Sequence, residues 1–575
     1  MPRPERCKNP AVLRQRLLHV AHPILVNTPN PALVSQRAVQ RLPRLALWLL
    51  CAAYVLPGVF GREPWKNADV TAVGYMFSLL RGDASWLDPT IAGIGSDGSL
   101  LPYWIGAANM HLMGGLVGPV LAARLPFVLM LVGTLALVWY ATLHLARTEA
   151  AQPLPFAFGG EADPVDYARA IADGSVLALI STLGLLQLGH ETTPELVQLL
   201  GTALFIYGLA AGPYRCWQSR LGVVVALPMM AASGAATTAV MLALAGSWVC
   251  LRSSSEGLRR LLPWTLASGL LAALTAWALG GWIWRIPAQF DALSVLRLLA
   301  WFTWPVWPLA AWTLWQWRRH ILRRHLAIPL TTGGAGVIAS LAMGGSDRAL
   351  MLALPALAVL AAFALPTLRR SMGAAIDWFS VFFFSACAIS IWVIYAAMHT
   401  RVPAKIAANV YKLAPGFEAV FQLPALVLAV LGTLIWLALV RWRTGRNQHA
   451  IWKSLVLPAG GVALNWLLLM TLWLPLLDYA RSYRPLVQRV AQQVPAGACV
   501  NTDGLARGQL AALSVHADLK LAPQPGDPAC DWLLVAWHES RHRRFVPPVR
   551  AGWRWVAKAE RPTDRKESIL IYRRR

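Results

Sequence analysis

Twelve apolar runs, each long enough or nearly long enough to cross a hydrocarbon core of about 30 Å, occupy most of this chain. They fall near residues 119–146, 174–189, 195–212, 221–233, 235–250, 261–284, 297–317, 326–343, 349–366, 376–399, 420–440 and 454–474. Only 14% of the 575 residues are charged and 57% are hydrophobic, against about 25% charged in an ordinary soluble domain. A soluble body of this size could not be solvated by so few charges, so the chain is read as an all-α polytopic membrane protein.

The net charge of +25, from 52 Lys and Arg against 27 Asp and Glu, would suggest nucleic acid in a soluble protein. Here the arginines are scattered among apolar spans with no folded basic module, so nucleic-acid binding is set aside and topology takes its place. Residues 1–43 form a basic arm that stays in the cytoplasm, and Arg44 to Phe60 is an uncleaved signal anchor. Clusters at Arg215 and Arg220, at Arg252, Arg259 and Arg260, at Arg318 to Arg324, at Arg369 and Arg370, and at Arg441 to Lys453 occupy alternate connections. Positive-inside bias makes all five cytoplasmic. The anchor brings the count to about thirteen spans, in a transmembrane domain over 44–474. Such parity places residues 475–575 outside and lays Tyr103 to Gly118 flat on the outer face as an interfacial helix. The stretch 221–250 reads either as two short crossings or as one long tilted helix.

After Pro475 charges return and short strand-like pieces, Asp531 to Trp537 and Ser568 to Tyr572, alternate with polar turns. Residues 475–575 are therefore expected to form a small periplasmic α/β domain. Cys499 and Cys530 are its only cysteines, and an oxidising compartment lets them pair.

The first outer loop, within 61–118, concentrates ionisable groups: Arg62, Glu63, Lys66, Asp69, Arg81, Asp83, Asp88 and Asp97, interleaved with Trp65, Trp86 and Trp104. Rings that stack on a sugar beside charges that hold a phosphate suit a glycan site at the mouth of a bundle. An ordinary solvated loop with interfacial tryptophans accounts equally well for the composition.

The string Arg62-Glu63-Pro64-Trp65-Lys66 with Asp69, the Gly82-Asp83-x-x-Trp86-Leu87-x-Pro89-Thr90-x-x-Gly93 stretch, Leu101-x-Tyr103-Trp104 and Ala123-Arg124-Leu125-Pro126 resemble polyprenyl-phosphate-dependent GT-C glycosyltransferases. The resemblance is to bacterial aminoarabinose transferases of the ArnT type, within the protein O-mannosyltransferase superfamily. Leu299 to Pro305, Asp347-Arg348 and Asp478 to Arg484 extend it along the chain. The resemblance implies an inner-membrane enzyme facing the periplasm. It would transfer a sugar, with inversion, from undecaprenyl phosphate to lipid A phosphate or another envelope glycan.

By the same resemblance Asp69 is the catalytic carboxylate, with Glu63 and Asp97 as further acids. Where the family carries an Asp-Glu pair, this chain reads Ala68-Asp69. The family's acid-Lys-Pro-Pro motif reads Asp97-Gly98-Ser99-Leu100, and a tyrosine that touches the carrier phosphate is replaced by Met351. Those departures leave Arg62, Lys66, Arg124, Arg285 and Arg348 to meet the phosphate, with Tyr103, His190 and Glu195 as further substrate contacts. An acceptor phosphate is already ionised, so the carboxylate would position it or recruit a divalent cation; no other cofactor is implied. The competing readings are a transporter or flippase, disfavoured because charges avoid the middle of the spans, and a degenerate paralogue that no longer catalyses.

Overall fold

The computed structural model describes residues 32–96, 98–156, 159–282, 291–445, 450–517, 519–522, 526–537 and 548–575. Among these, seven helices are long and apolar enough to cross a membrane: Pro119–Ala146, Pro194–Ala211, Glu256–Ala278, Arg324–Ala342, Arg370–Thr400, Leu423–Thr444 and Ile451–Leu472. Ala292–Phe302 and Val306–Gln316, bent by 90°, make an eighth if counted as one span, and Arg44–Val55, Ala236–Arg252 and Leu354–Thr367 are shorter apolar helices. The about thirteen expected crossings are thus not thirteen long helices.

The differences have local causes. The run at 297–317 breaks at Thr303 to Pro305, where proline supplies no N–H to continue the helical ladder. The run at 174–189 is the end of a helix that starts at Pro164, with Asp163 accepting the Val165 and Asp166 N–H groups as its N-cap. It stops at Thr182, and a six-residue helix follows. The stretch 221–250 is two helices, Cys216–Ala231 and Ala236–Arg252, parted by Gly234 at φ +86°.

The elements that build the site are α1 (Arg44–Val55), α2 (Ala68–Arg81), α3 (Leu101–Val117), α4 (Pro119–Ala146), α5 (Leu183–Leu188), α6 (Pro194–Ala211), α7 (Asp347–Met351), α8 (Leu423–Thr444), α9 (Val456–Leu472), α10 (Leu474–Arg481), α11 (Arg484–Ala491) and α12 (Arg507–His516). Helix α2 is closed by Gly82 at φ +76°, a left-handed residue that lets the chain turn away at no Cβ cost. Its face of Val70, Val73, Tyr75, Met76 and Leu79 is buried. A two-residue hairpin, β1 (Thr90–Ile91) with β2 (Ile94–Gly95), follows it.

Beyond α11, strands β3 (Cys499–Asp503), β4 (Lys520–Leu521), β5 (Trp532–Trp537), β6 (Trp553–Arg561) and β7 (Asp564–Arg574) form one sheet in the order β4-β3-β5-β7-β6. The pairs of β3 with β4 and with β5 are parallel, and the remaining pairs are antiparallel. Cys499 and Cys530 are joined by a disulfide, with Cα atoms 4.7 Å apart. The sheet domain is docked rather than tethered. Helix α12 lies so close on α2 that a Cβ on Gly74 would sit 2.6 Å from the Ala511 Cβ, and the Tyr483 hydroxyl donates to Asn67 Oδ1 at 3.0 Å.

Candidate active site

Three segments far apart in sequence converge where α2, α4 and the turn between α5 and α6 meet. Asp69 lies in the first turn of α2 with its side chain wholly buried. Its Oδ1 accepts the Thr192 N–H at 2.9 Å and the Thr192 hydroxyl, and its Oδ2 accepts the Trp65 N–H at 3.2 Å and faces Arg62 Nη2 at 3.4 Å. Burial alone would raise this carboxyl, but Arg62, Arg124 and the Thr192 bonds outweigh it and hold it below the usual carboxylate range. Every polar face of Asp69 is engaged from within the protein.

Arg62 donates from Nε to the Gly58 carbonyl at 3.1 Å and from Nη2 to the His190 carbonyl at 2.6 Å, leaving its buried Nη1 without a partner. Arg124 donates to the carbonyls of Val59 at 2.8 Å and Arg62 at 3.0 Å. His190 is buried, its two ring nitrogens facing the Leu186 and Tyr54 carbonyls, and burial depresses its pKa to about 4. The structure thus brings Arg62, Asp69, Arg124 and His190 together as an interior clamp rather than as an open face.

Arg348, at the start of α7, spans the next layer. It donates to Glu191 Oε2 at 2.6 Å, Glu195 Oε2 at 3.2 Å and the Thr193 hydroxyl at 3.3 Å. Burial would lower its pKa, yet the two carboxylates raise it above the ordinary arginine value. Glu191 is itself pushed up, chiefly by burial. Its other oxygen takes a bond from Gln187 at 2.9 Å, and Gln187 accepts one from Arg481 at 2.6 Å. Arg481 and Arg62 lie over the Trp65 ring, 5.1 and 4.9 Å from its centroid. The chain of contacts therefore runs without a break from α7 to the clamp.

Toward α10 the groups are more open. The Glu63 carboxylate pairs with Arg484 and lies 3.8 Å from His516 Nε2. Asp478 takes the Trp65 indole N–H at 2.8 Å and the Glu63 N–H at 3.3 Å, and burial raises its pKa to about 6. Lys66 pairs with Glu567 of β7 at 3.4 Å, away from the clamp. Tyr103 of α3 is buried against Tyr75, ring centroids 5.0 Å apart. Asp97 and Arg285 lie outside the described residues.

A cavity of about 1530 Å³ leads up to these groups, with Leu49, Ala53, Ile435, Leu439 and Leu464 among its apolar lining from α1, α8 and α9. Its far end is polar, formed by Glu63, Asp478, Ser482 and Arg484. Among the described residues no three His, Cys, Asp or Glu side chains converge as a metal site.

Glu191, Thr192, Gln187 and Arg481 were given no role by the sequence, and Asp478 and Arg484 entered only as the ends of a motif string. Thr192 and Gln187 are neutral and carry no signal by type; Glu191 could have been flagged as an acid beside an apolar run.

No family model matches the chain, and no curated protein does. Two solved structures are similar over nearly its whole length. The structure of ArnT from Cupriavidus metallidurans bound to undecaprenyl phosphate superposes with a TM-score of 0.59 at 13% identity, covering 92% of this chain and 97% of that one. The apo structure of the same protein gives 0.58 at 13% identity, with 92% and 96% covered. At that identity the likeness is one of fold: the chain has the ArnT-like GT-C architecture of a multi-pass membrane protein, with a small sheet domain after its last long helix.

Proposed function

We propose that the chain is an inner-membrane glycosyltransferase that moves a sugar from undecaprenyl phosphate to a periplasmic acceptor, a lipid A phosphate or another envelope glycan, with inversion. The observation that carries the reading is the apolar cavity ending in Glu63, Asp478 and Arg484, within a fold like that of a protein crystallised with undecaprenyl phosphate. A long apolar tail needs such a groove, and a sugar phosphate at its end needs cations and a carboxylate on one face of the membrane. In this reading the site and the sheet domain face the periplasm.

In the reaction the anomeric C–O bond to phosphate breaks, its electron pair leaving on undecaprenyl phosphate, while the acceptor oxygen attacks the opposite face. Glu63, which lines the cavity with Asp478 and Glu418, is the carboxylate paired with Arg484 at its polar end. A phosphate entering beside it takes Arg484 as counter-ion, and the freed carboxylate orients the acceptor or accepts a hydroxyl proton. Arg348 and Lys66 are each held by carboxylates of the protein and lie outside the cavity lining. Asp69, closed in by Thr192, Trp65 and Arg62, is a positioning residue that fixes the Arg62–Trp65 turn on which Glu63 is presented.

Mass spectrometry of lipids and envelope glycans from cells with and without the gene tests this. A sugar-sized mass should disappear from the acceptor and an undecaprenyl-linked sugar should accumulate. Glu63→Gln should reproduce the loss while keeping the wild-type melting temperature. Identical lipids and glycans in expressing and deleted cells would sink the reading.

A further inference from the structure

At the end of the helical body opposite the sheet, His144 of α4 is 5% exposed and its Nδ1 has no partner. Arg147 closes α4 three residues on, and Arg215 follows Tyr214, whose ring stacks on the His144 ring with centroids 5.3 Å apart. Arg324 donates to the His144 carbonyl at 3.2 Å and the Ala210 carbonyl at 3.3 Å, which caps the C-terminal turns of α4 and α6, and lies 5.3 Å over the Tyr214 ring. Its Nε and the Nε of Arg147 are buried without partners. The two helix ends contribute about half a negative charge each, which offsets one guanidinium and leaves two. No carboxylate pairs with Arg147, Arg215 or Arg324 among the described residues.

We infer that Arg147, Arg215 and Arg324, with the His144 Nδ1 edge, form a binding site for a phosphate-type anion at this end of the protein. Guanidinium groups at helix ends with no carboxylate partner match the oxygens of a phosphate, which accept several charge-assisted bonds at once. The surroundings favour a lipid source. Tyr140, Tyr214 and Trp217 stand 50%, 40% and 72% exposed around the cluster, an aromatic rim of the kind found at headgroup level, and basic pockets between helices hold anionic headgroups.

The test compares the purified full-length protein with the Arg147→Gln/Arg215→Gln variant, which keeps Arg324 and its two helix caps. Native mass spectrometry in mixed cardiolipin and phosphatidylcholine micelles should show cardiolipin retained on the wild type and about thirtyfold less on the variant, as expected on removing two cations from a phosphate contact. Thermal stabilisation by inorganic phosphate, in a form the variant loses, would place the same chemistry in a soluble anion. The proposal is overturned if the wild type prefers neither cardiolipin to phosphatidylcholine nor phosphate to chloride, or if the variant retains as much as the wild type. Arg215→Gln alone, whose side chain makes no cap, replaces the double variant should that fail to fold.

Discussion

The clamp around Asp69 and the cluster around His144 hold charge in opposite ways. At the sheet end buried or half-buried cations meet carboxylates: Arg62 faces Asp69, Arg348 is shared by Glu191 and Glu195, and Arg561 pairs with Glu567. Around His144, Arg324 meets carbonyl oxygens and an aromatic ring instead. Paired buried charges are costly to assemble but directional, so they fix relative positions of segments to within a bond length. Arginines held without a carboxylate keep a charge that no partner acid cancels. The first arrangement suits a site that must orient a reacting centre, the second a surface that meets anionic lipid.

Removing one member of the clamp should have the largest effect. Asp69→Ala leaves Arg62 buried without its counter-charge and frees both Thr192 donors, a loss of roughly 3–5 kcal/mol, read as a large drop in melting temperature together with loss of transfer. Adding Arg62→Leu should restore part of the stability but none of the activity. A folded, inactive Asp69→Asn protein with wild-type melting would instead place Asp69 in contact with substrate.

Gly74→Val should come next. The added atoms meet Ala511 Cβ at 2.6 Å and its Cα at 3.0 Å, and backbone cannot yield as a flexible side chain does. Overpacking there should cost about 1–3 kcal/mol and loosen the sheet domain from α2, seen as faster proteolysis between α11 and β3 while the long helices stay protected.

Asp478 gives a pH signature. Its folded pKa of about 6 lies above the ordinary aspartate value because burial disfavours the charged form. A raised acid binds its proton more tightly in the folded state, so its contribution favours folding at low pH and is lost as pH rises through about 6. The melting-temperature difference between wild type and Asp478→Asn should therefore shrink or change sign between pH 4 and pH 7. A flat difference would mean that Asp478 titrates normally.

How far the sequence carried the fold depends on what interrupts each run. The span at 119–146 was legible to the residue, because Pro119 starts it and its polar residues, Arg124, Thr134, Thr142 and His144, stand singly among apolar ones up to Arg147. The run at 297–317 was not, because its break lies inside apolar sequence. The helix Ala404–Leu413, amphipathic and bounded by Lys405 and Lys412, is too short to register as a span and was missed. In the sheet domain the strand expected at 531–537 is β5, while β7 runs from Asp564 to Arg574, well past the expected 568–572, since its ends are unbroken runs of charged residues that hide strand character. At the site, Asp69 drew notice as an acid of the first outer loop and through the motif resemblance, but what closes it is Thr192, a neutral residue 123 positions away. Burial of that kind has no local signal, so charged residues could be found and their enclosure could not.

The smallest effect on folding should come from the opposite end. If the Arg147 and Arg215 charges face lipid rather than partner acids, Arg147→Gln/Arg215→Gln removes no buried pair and leaves no orphaned carboxylate. Its stability in zwitterionic detergent should stay within about 0.5 kcal/mol of wild type, the range of surface substitutions. The contrast with Asp69→Ala is then one of mechanism: a lost counter-charge is felt in every solvent, whereas a lost headgroup contact is felt only where anionic lipid is present. The same variant should accordingly melt lower than wild type when both are reconstituted with cardiolipin, and the gap should narrow as salt screens the contact. A large loss in zwitterionic detergent would show that these arginines, like Arg62, hold the helices together.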